Sequence, residues 1–384
     1  MLNLLINNLT GGKMKKQILL CSIISLISSS AIAGNWDFNA HGLAGAYYGV
    51  SKTKYENKYP GRFATRADAT LQANYIFDKT NKLGIHASTA AIYKEDDKDR
   101  SEGEYRFYPY LVSESIIGSV QIGYTQNAAY QLHKGATEIT FLKLDDSNAT
   151  YFLSNPNWGN GFKSTYSYTP KSTSIMTDGR APKITYITPK INGFKFGASY
   201  TVHNAHRRGM TSRYVDYETN EDGYTFGAQK EWILSSRSKL YTSLGYGVFN
   251  STDKEISTGI NFEYCRFNMG AGYKKAYIDG TKNPISTTKR NEYLPAYFDN
   301  FRESQSWSVS AGYKWNSFKT NLALLHTQAE NTRHQDTLLI FSNVYNITKE
   351  VELYGITTHL NSHSTSHDKD NKGMSFITGV GYRF

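Results

Sequence analysis

The sequence predicts an all-β fold, a transmembrane antiparallel β-barrel of about 16 strands with a polar interior. Three observations predict it: an export signal near the N-terminus, strand-length segments that alternate apolar and polar residues, and connections that alternate short and long.

The export signal comes first. In 384 residues the longest apolar stretch, Ile18 to Ile27, is broken by Cys21, Ser22 and Ser25. It falls well short of the roughly 20 apolar residues a membrane-crossing helix needs. Lys15 and Lys16 precede it and Ala31-Ile32-Ala33 follows it. A basic start, a short apolar middle and an A-x-A site make a secretory signal peptide. Cleavage is expected after Ala33, so residues 1–33 are read as N-terminal extension and signal peptide, and 34–384 as one barrel domain. Residues 1–13 precede a second methionine, Met14, which is read as the true start. The residue before Cys21 is Leu20, where a lipoprotein signal needs a small side chain.

The exported part keeps one cysteine, Cys265, so no intrachain disulfide can close it. A large secreted domain must then hold itself together by other means. Composition agrees with a membrane barrel: 30 Tyr against 19 Phe places many amphipathic rings, which suit the boundary between lipid and water. The net charge of +10 includes three lysines of the removed segment. Export makes nucleic acid an unsuitable partner for the remaining basic excess, and no aromatic-basic binding motif accompanies it.

Periodicity decides the class. A membrane barrel needs segments of about 10 residues whose side chains alternate between lipid and lumen. At the C-terminus Met374, Phe376, Thr378, Val380, Tyr382 and Phe384 share one face, with Ser375, Ile377, Gly379, Gly381 and Arg383 on the other. In 61–77, Phe63, Ala67, Leu71, Tyr75 and Phe77 point out while Arg62, Arg66, Asp68, Gln72 and Asn74 point in. Segments 193–203 and 305–316 repeat the pattern. A soluble barrel would be the inverse, with its apolar face inside.

Sixteen spans result: 35–50, 61–77, 82–94, 104–116, 119–130, 181–190, 193–203, 222–234, 238–250, 254–264, 266–278, 304–316, 318–330, 335–346, 349–361 and 373–384. Tight turns such as 78–81, 117–118, 235–237 and 347–348 alternate with polar loops at 51–60, 95–103, 131–180, 204–221, 279–303 and 362–372. An even strand number puts both ends of the barrel chain on the periplasmic side.

Three stretches then resemble the general porins, the trimeric sixteen-stranded diffusion channels of Gram-negative outer membranes. They are Ile117-Gly118-Ser119-Val120-Gln121-Ile122-Gly123-Tyr124, the run Lys183 to Phe194, and the terminus Gly381-Tyr382-Arg383-Phe384. The resemblance implies a homotrimer in the outer membrane, in contact with lipid and lipopolysaccharide, passing small hydrophilic solutes by passive diffusion. It also implies that the barrel-assembly machinery reads the last strand, here through Phe376, Val380, Tyr382 and Phe384. It implies as well that the long third loop, 131–180, folds into the barrel and narrows it; excess loop length itself points to a role. Glu138, Asp145 and Asp146 on that loop would then face Arg62, Arg66 and Arg106 on the wall and set a transverse field. The family's Pro-Glu-Phe-Gly-Gly loop tip is absent, and the bland reading of the three acids is solvated loop charge.

Other chemistry is sparse. His359, His363 and His367 have helical ligand spacing but fall in a strand end and a Ser-rich loop. Asp368 to Gly373 opens like a calcium loop, yet Gly379 stands where a bidentate Glu is required. No cofactor or metal is expected, and no motif sets a catalytic pair apart. Two alternatives stay open: a substrate-selective channel, and an adhesin or surface antigen whose loops bind while the barrel serves as scaffold.

Overall fold

The computed structural model describes residues 35–54, 61–94, 102–137, 172–176, 178–202, 222–249, 253–277, 303–329, 334–363 and 370–384. Residues 1–34, with the expected cleavage site at Ala31 and Ala33, lie outside this set, as do Glu138, Asp145 and Asp146.

Sixteen strands form: β1 (Trp36–Thr53), β2 (Arg62–Ile76), β3 (Lys82–Lys94), β4 (Glu102–Ser115), β5 (Gly118–Tyr124), β6 (Pro182–Ile187), β7 (Phe194–Thr201) and β8 (Gly223–Ser235). They continue as β9 (Ser238–Phe249), β10 (Asp253–Tyr264), β11 (Phe267–Tyr277), β12 (Glu303–Trp315), β13 (Phe318–Ala329), β14 (His334–Asn346), β15 (Val351–His363) and β16 (Asn371–Arg383). Each pairs antiparallel with its sequence neighbours, and β1 pairs with β16 from Leu43–Arg383 to Thr53–Gly373, closing the barrel. Closure leaves no sheet edge, which is what lets strands cross lipid with every backbone group paired. No described helix is long and apolar enough to cross a membrane.

The two-residue period sorts the side chains. Phe194, Phe196, Tyr224, Phe226, Leu244 and Tyr246 are exposed on the outer face. Their strand neighbours Ser199, Thr201, Thr225 and Ser243 are buried on the inner face. Rings gather near the short turns: Trp36 against Tyr75 at 5.4 Å, Phe267 against Tyr313 at 4.5 Å and Trp315 against Phe318 at 4.4 Å between centroids. That is an aromatic girdle at one membrane boundary.

The short turns use suitable chemistry. Asp78 Oδ2 accepts from the Asn81 side-chain amide at 2.7 Å and Oδ1 from the Thr80 and Asn81 backbone amides at 2.7 and 2.9 Å; these bonds, the Asn81 side chain's first, hold its carboxyl below the usual carboxylate range. Asn192 and Asn316 sit at φ 50° and 48°, the left-handed region asparagine tolerates. Cys265 occupies the same region at φ 51°.

Two features depart from the expected spans. The strand expected over 119–130 stops at Tyr124, because the chain leaves the wall there and forms a short helix, α1 (Ala128–Leu132). The interior also carries an apolar patch among its polar side chains. Leu325, Leu338, Ile340, Val344, Ile356, Leu360 and Ile377 form a buried apolar cluster with Tyr47 and Tyr354 on the inner faces of β13–β16 and β1. The β14 sequence Leu338-Leu339-Ile340-Phe341 is apolar on both faces, so no alternation is visible there.

Candidate functional site: the lumen wall and the connection pinned to it

After Tyr124 the chain turns inward instead of spanning further. Asn127 caps α1, its Oδ1 accepting from the Tyr130 amide at 2.8 Å. Its Nδ2 donates to Asp178 Oδ1 at 2.6 Å and to the Ile175 carbonyl at 3.1 Å. Asp178 Oδ2 accepts from Thr201 Oγ1 at 2.8 Å and lies 3.1 Å from Lys183 Nζ. Lys183 donates in turn to the carbonyls of Thr125 and Gly179 at 2.8 and 2.7 Å. Both charged side chains are fully buried. Such a pair survives burial only when its remaining hydrogen-bonding positions are filled, as they are here. The clasp joins the start and the end of the 125–181 connection to the inner face of β6 and β7.

From the clasp, residues 128–137 run along the inner wall. The Ala128 amide donates to Ser199 Oγ at 2.8 Å, the Lys134 amide to Ser243 Oγ at 2.9 Å and the Thr137 amide to Ser310 Oγ at 2.6 Å. Asn261 Nδ2 donates to Thr137 Oγ1 at 2.6 Å, and Asn321 Nδ2 to the Thr137 carbonyl at 3.1 Å. The segment thus crosses from β7 to β13.

Glycines let it lie so close. A Cβ on Gly227 would stand 2.9 Å from the Ala128 carbonyl oxygen, one on Gly259 2.2 Å from that of Lys134, and one on Gly270 2.3 Å from that of Gly135. These inner-face glycines of neighbouring strands form a furrow for the backbone. The returning end meets the same wall, Thr173 Oγ1 lying 3.4 Å from Ser308 Oγ and 3.2 Å from His133 Nε2. Burial, with Lys274 and Lys134 nearby, pushes the His133 pKa down to about 4.

The opposite wall carries arginines. Arg62, Arg66 and Arg106 all occupy inward positions, Arg62 paired with Gly49, Arg66 with Gly45 and Arg106 with Ala90. The Arg62 side chain lies outside the described set, and Arg106 is exposed to the lumen. Arg66 donates to its strand neighbour Asp68, Nε to Oδ2 at 2.5 Å and Nη2 to Oδ1 at 3.2 Å. Sequence reasoning overlooked Asn127, Asp178, Arg180 and Lys183. Lys183 shares a face with Thr185 and stood as a lone cation on an inward face, which was the one available signal.

At the seam, Phe376, Val380 and Tyr382 point outward and are exposed. Phe384 and Leu71 pack against Ala40 and Ala69 of the outer face, and the Phe384 carbonyl accepts from the Gly42 amide at 2.9 Å. His359 and His363 also face outward on β15, His363 bonding Asp370, while His367 lies outside the described residues.

Residues 110–364 match the sequence profile of the Gram-negative porin family. No curated protein matches the sequence. Among solved structures, the outer-membrane channel DcaP of Acinetobacter baumannii superposes with TM-score 0.58 at 13% identity, covering 92% of this chain and 99% of that one. The anion-selective porin of Comamonas acidovorans gives 0.55 at 11%, covering 91% and 100%. OmpT of Vibrio cholerae, in a trimer form, gives 0.55 at 12%, also covering 91% and 100%. At such identities the likeness concerns the fold alone.

Proposed function

The chain belongs to the Gram-negative porin family, and from that premise we propose that it is a constricted diffusion pore whose narrowing is set by the connection after β5. It is an outer-membrane channel for small solutes. The observation that supports the constriction is the run of residues 128–137, hydrogen-bonded across the inner wall from β7 to β13. A chain segment placed there takes up lumen cross-section, and its clasp keeps it from swinging out. In this reading Glu138, Asp145 and Asp146, which follow the pinned segment, face the Arg62, Arg66 and Arg106 wall. A transverse field would then order water and favour polar solutes.

The same reading includes a homotrimer. On the outer face, Ala44, Ala67 and Ala91 form one cross-strand row over β1–β3, and Gly42, Ala69 and Thr89 form the next. Large side chains dominate the outer positions of β7–β12. Small side chains let two protein surfaces approach closely in lipid, where burial of apolar area gives little drive.

Planar-bilayer recording of the folded protein tests both points. Openings in groups of three, with current proportional to salt concentration, are expected. Neutralising Arg62, Arg66 and Arg106 together should shift the reversal potential in a salt gradient toward cations; an unchanged potential removes them from the constriction. The absence of conductance would leave the barrel as a scaffold for binding loops.

A further inference from the structure

Arg180 stands where the long connection returns to the wall, its guanidinium 5.1 Å from the centre of the Tyr108 ring. Arg106, Tyr108 and Tyr110 occupy alternate positions of β4, so all three face the lumen. Tyr110 meets His86 edge to face, ring centroids 5.4 Å apart, and His86 Nε2 lies 2.8 Å from Asn74 Oδ1. The ring is therefore positioned from behind.

Three carboxylates described on this side of the lumen have a basic partner. Asp68 holds Arg66, Glu114 lies 2.9 Å from Lys82, and Asp178 is buried with Lys183. Arg180 instead rests on a phenol ring. A guanidinium held over a ring by cation–π attraction still has N–H groups directed away from the ring for hydrogen bonds. Those groups match a carboxylate in bidentate geometry. An anion held there would lie beside two tyrosines, whose rings favour an offset or edge contact with a flat apolar body.

We propose that Arg180, Tyr108 and Tyr110 form a subsite for planar aromatic carboxylates on the pore wall. The proposal rests on the channel reading and adds a solute class to it. A solute that pauses there is concentrated at the pore when dilute and saturates it when abundant, whereas a simple inorganic anion does neither.

Benzoate tests this, with acetate and benzyl alcohol as probes of charge alone and ring alone. In planar bilayers, millimolar benzoate should reduce the chloride current of the full-length protein in a saturable way, and the other two should not. Arg180→Gln should raise the half-blocking concentration at least fivefold, and Tyr108→Leu should raise it by a smaller factor. Equal block by acetate and benzoate, or block unaltered in Arg180→Gln, overturns the subsite while leaving the pore intact. Saturation-transfer NMR of benzoate with detergent-folded protein decides the same question if no current is seen. Contact with the ring protons in the parent and its loss in Arg180→Gln is the expected result, and no contact in the parent overturns it.

Discussion

Arg383 holds Glu352 across the last strand pair, Nε to Oε2 and Nη2 to Oε1, each 3.0 Å. Glu352 is 2% exposed and also accepts from the Tyr354 hydroxyl. The Arg383 amide donates to the Glu350 carbonyl at 2.7 Å. One residue before the chain ends, the closing strand is thus fixed to β15, and Phe384 covers the seam with β1.

Removing the arginine leaves a buried carboxylate with half its partners. Arg383→Ala should destabilise the seam by about 1–3 kcal/mol, the cost of an unsatisfied buried acceptor. Arg383→Lys should restore part of that, because one point charge replaces a bidentate fork. Heat-modifiability of the folded protein on gels reads the loss. Deleting Phe384 should cut assembled protein further while export continues; a normal yield would show that the terminal ring is not needed.

Cys265 gives a prediction of opposite sign. Its φ of 51° places an L side chain where its Cβ crowds the following carbonyl, a strain of roughly 1–2 kcal/mol that glycine avoids. Cys265→Gly should therefore leave assembly intact and raise unfolding resistance in urea by about 0.5–1 kcal/mol, since glycine also has more freedom to lose. A fall in stability would mean that the cysteine contributes contacts that outweigh its strain.

The barrel was legible because alternation is a local property of sequence. Strand parity alone placed Arg62, Arg66 and Arg106 on the inner face and paired the segment at Trp36 with the one ending at Phe384. The clasp was hidden, since Asn127 and Asp178 lie 51 residues apart and meet only through tertiary folding. The apolar cluster on the inner wall was hidden for another reason. Leu338-Leu339-Ile340-Phe341 has no alternation to read, and the assumption of a polar interior supplied the wrong default. The glycine furrow is spread singly over separate strands, and no window of sequence contains it.

The clasp makes its own prediction. Lys183→Met leaves Asp178 buried and uncompensated, at a cost of roughly 3–5 kcal/mol, which unpinning the connection would relieve. Single-channel current should become noisier and larger. The double replacement Lys183→Met with Asp178→Leu removes both charges and should behave much more like the parent. Equal noise in the single and double variants would show that the ion pair is not what holds the segment.

Acid should act through His133. Its folded-state pKa of about 4 lies below the ordinary imidazole value, so the fold favours the neutral ring. A released segment takes up a proton first as pH falls below about 6.5. Pinning is therefore unaffected above that pH and weakens steadily down to about 4. Current noise should rise across that window in the parent and stay flat in His133→Gln. A rise of equal size in both would assign the effect to carboxylates elsewhere in the lumen.

The furrow can be filled without touching any charge. A Cβ on Gly259 would lie 2.2 Å from the Lys134 carbonyl oxygen and 2.7 Å from its carbon, both backbone atoms that cannot rotate away. Valine suits a strand, so Gly259→Val should not impair barrel closure. The pinned segment must then lift from the wall, a strain of about 1–3 kcal/mol by analogy with overpacked cores. Its hydrogen bonds to Ser243 and Asn261 are the nearest to suffer. Gly355 is the control, because a Cβ there meets nothing within 4 Å. Gly259→Val should change unitary conductance and ion selectivity, while Gly355→Val should match the parent in both. If the two variants conduct alike, residues 128–137 do not set the width of the pore.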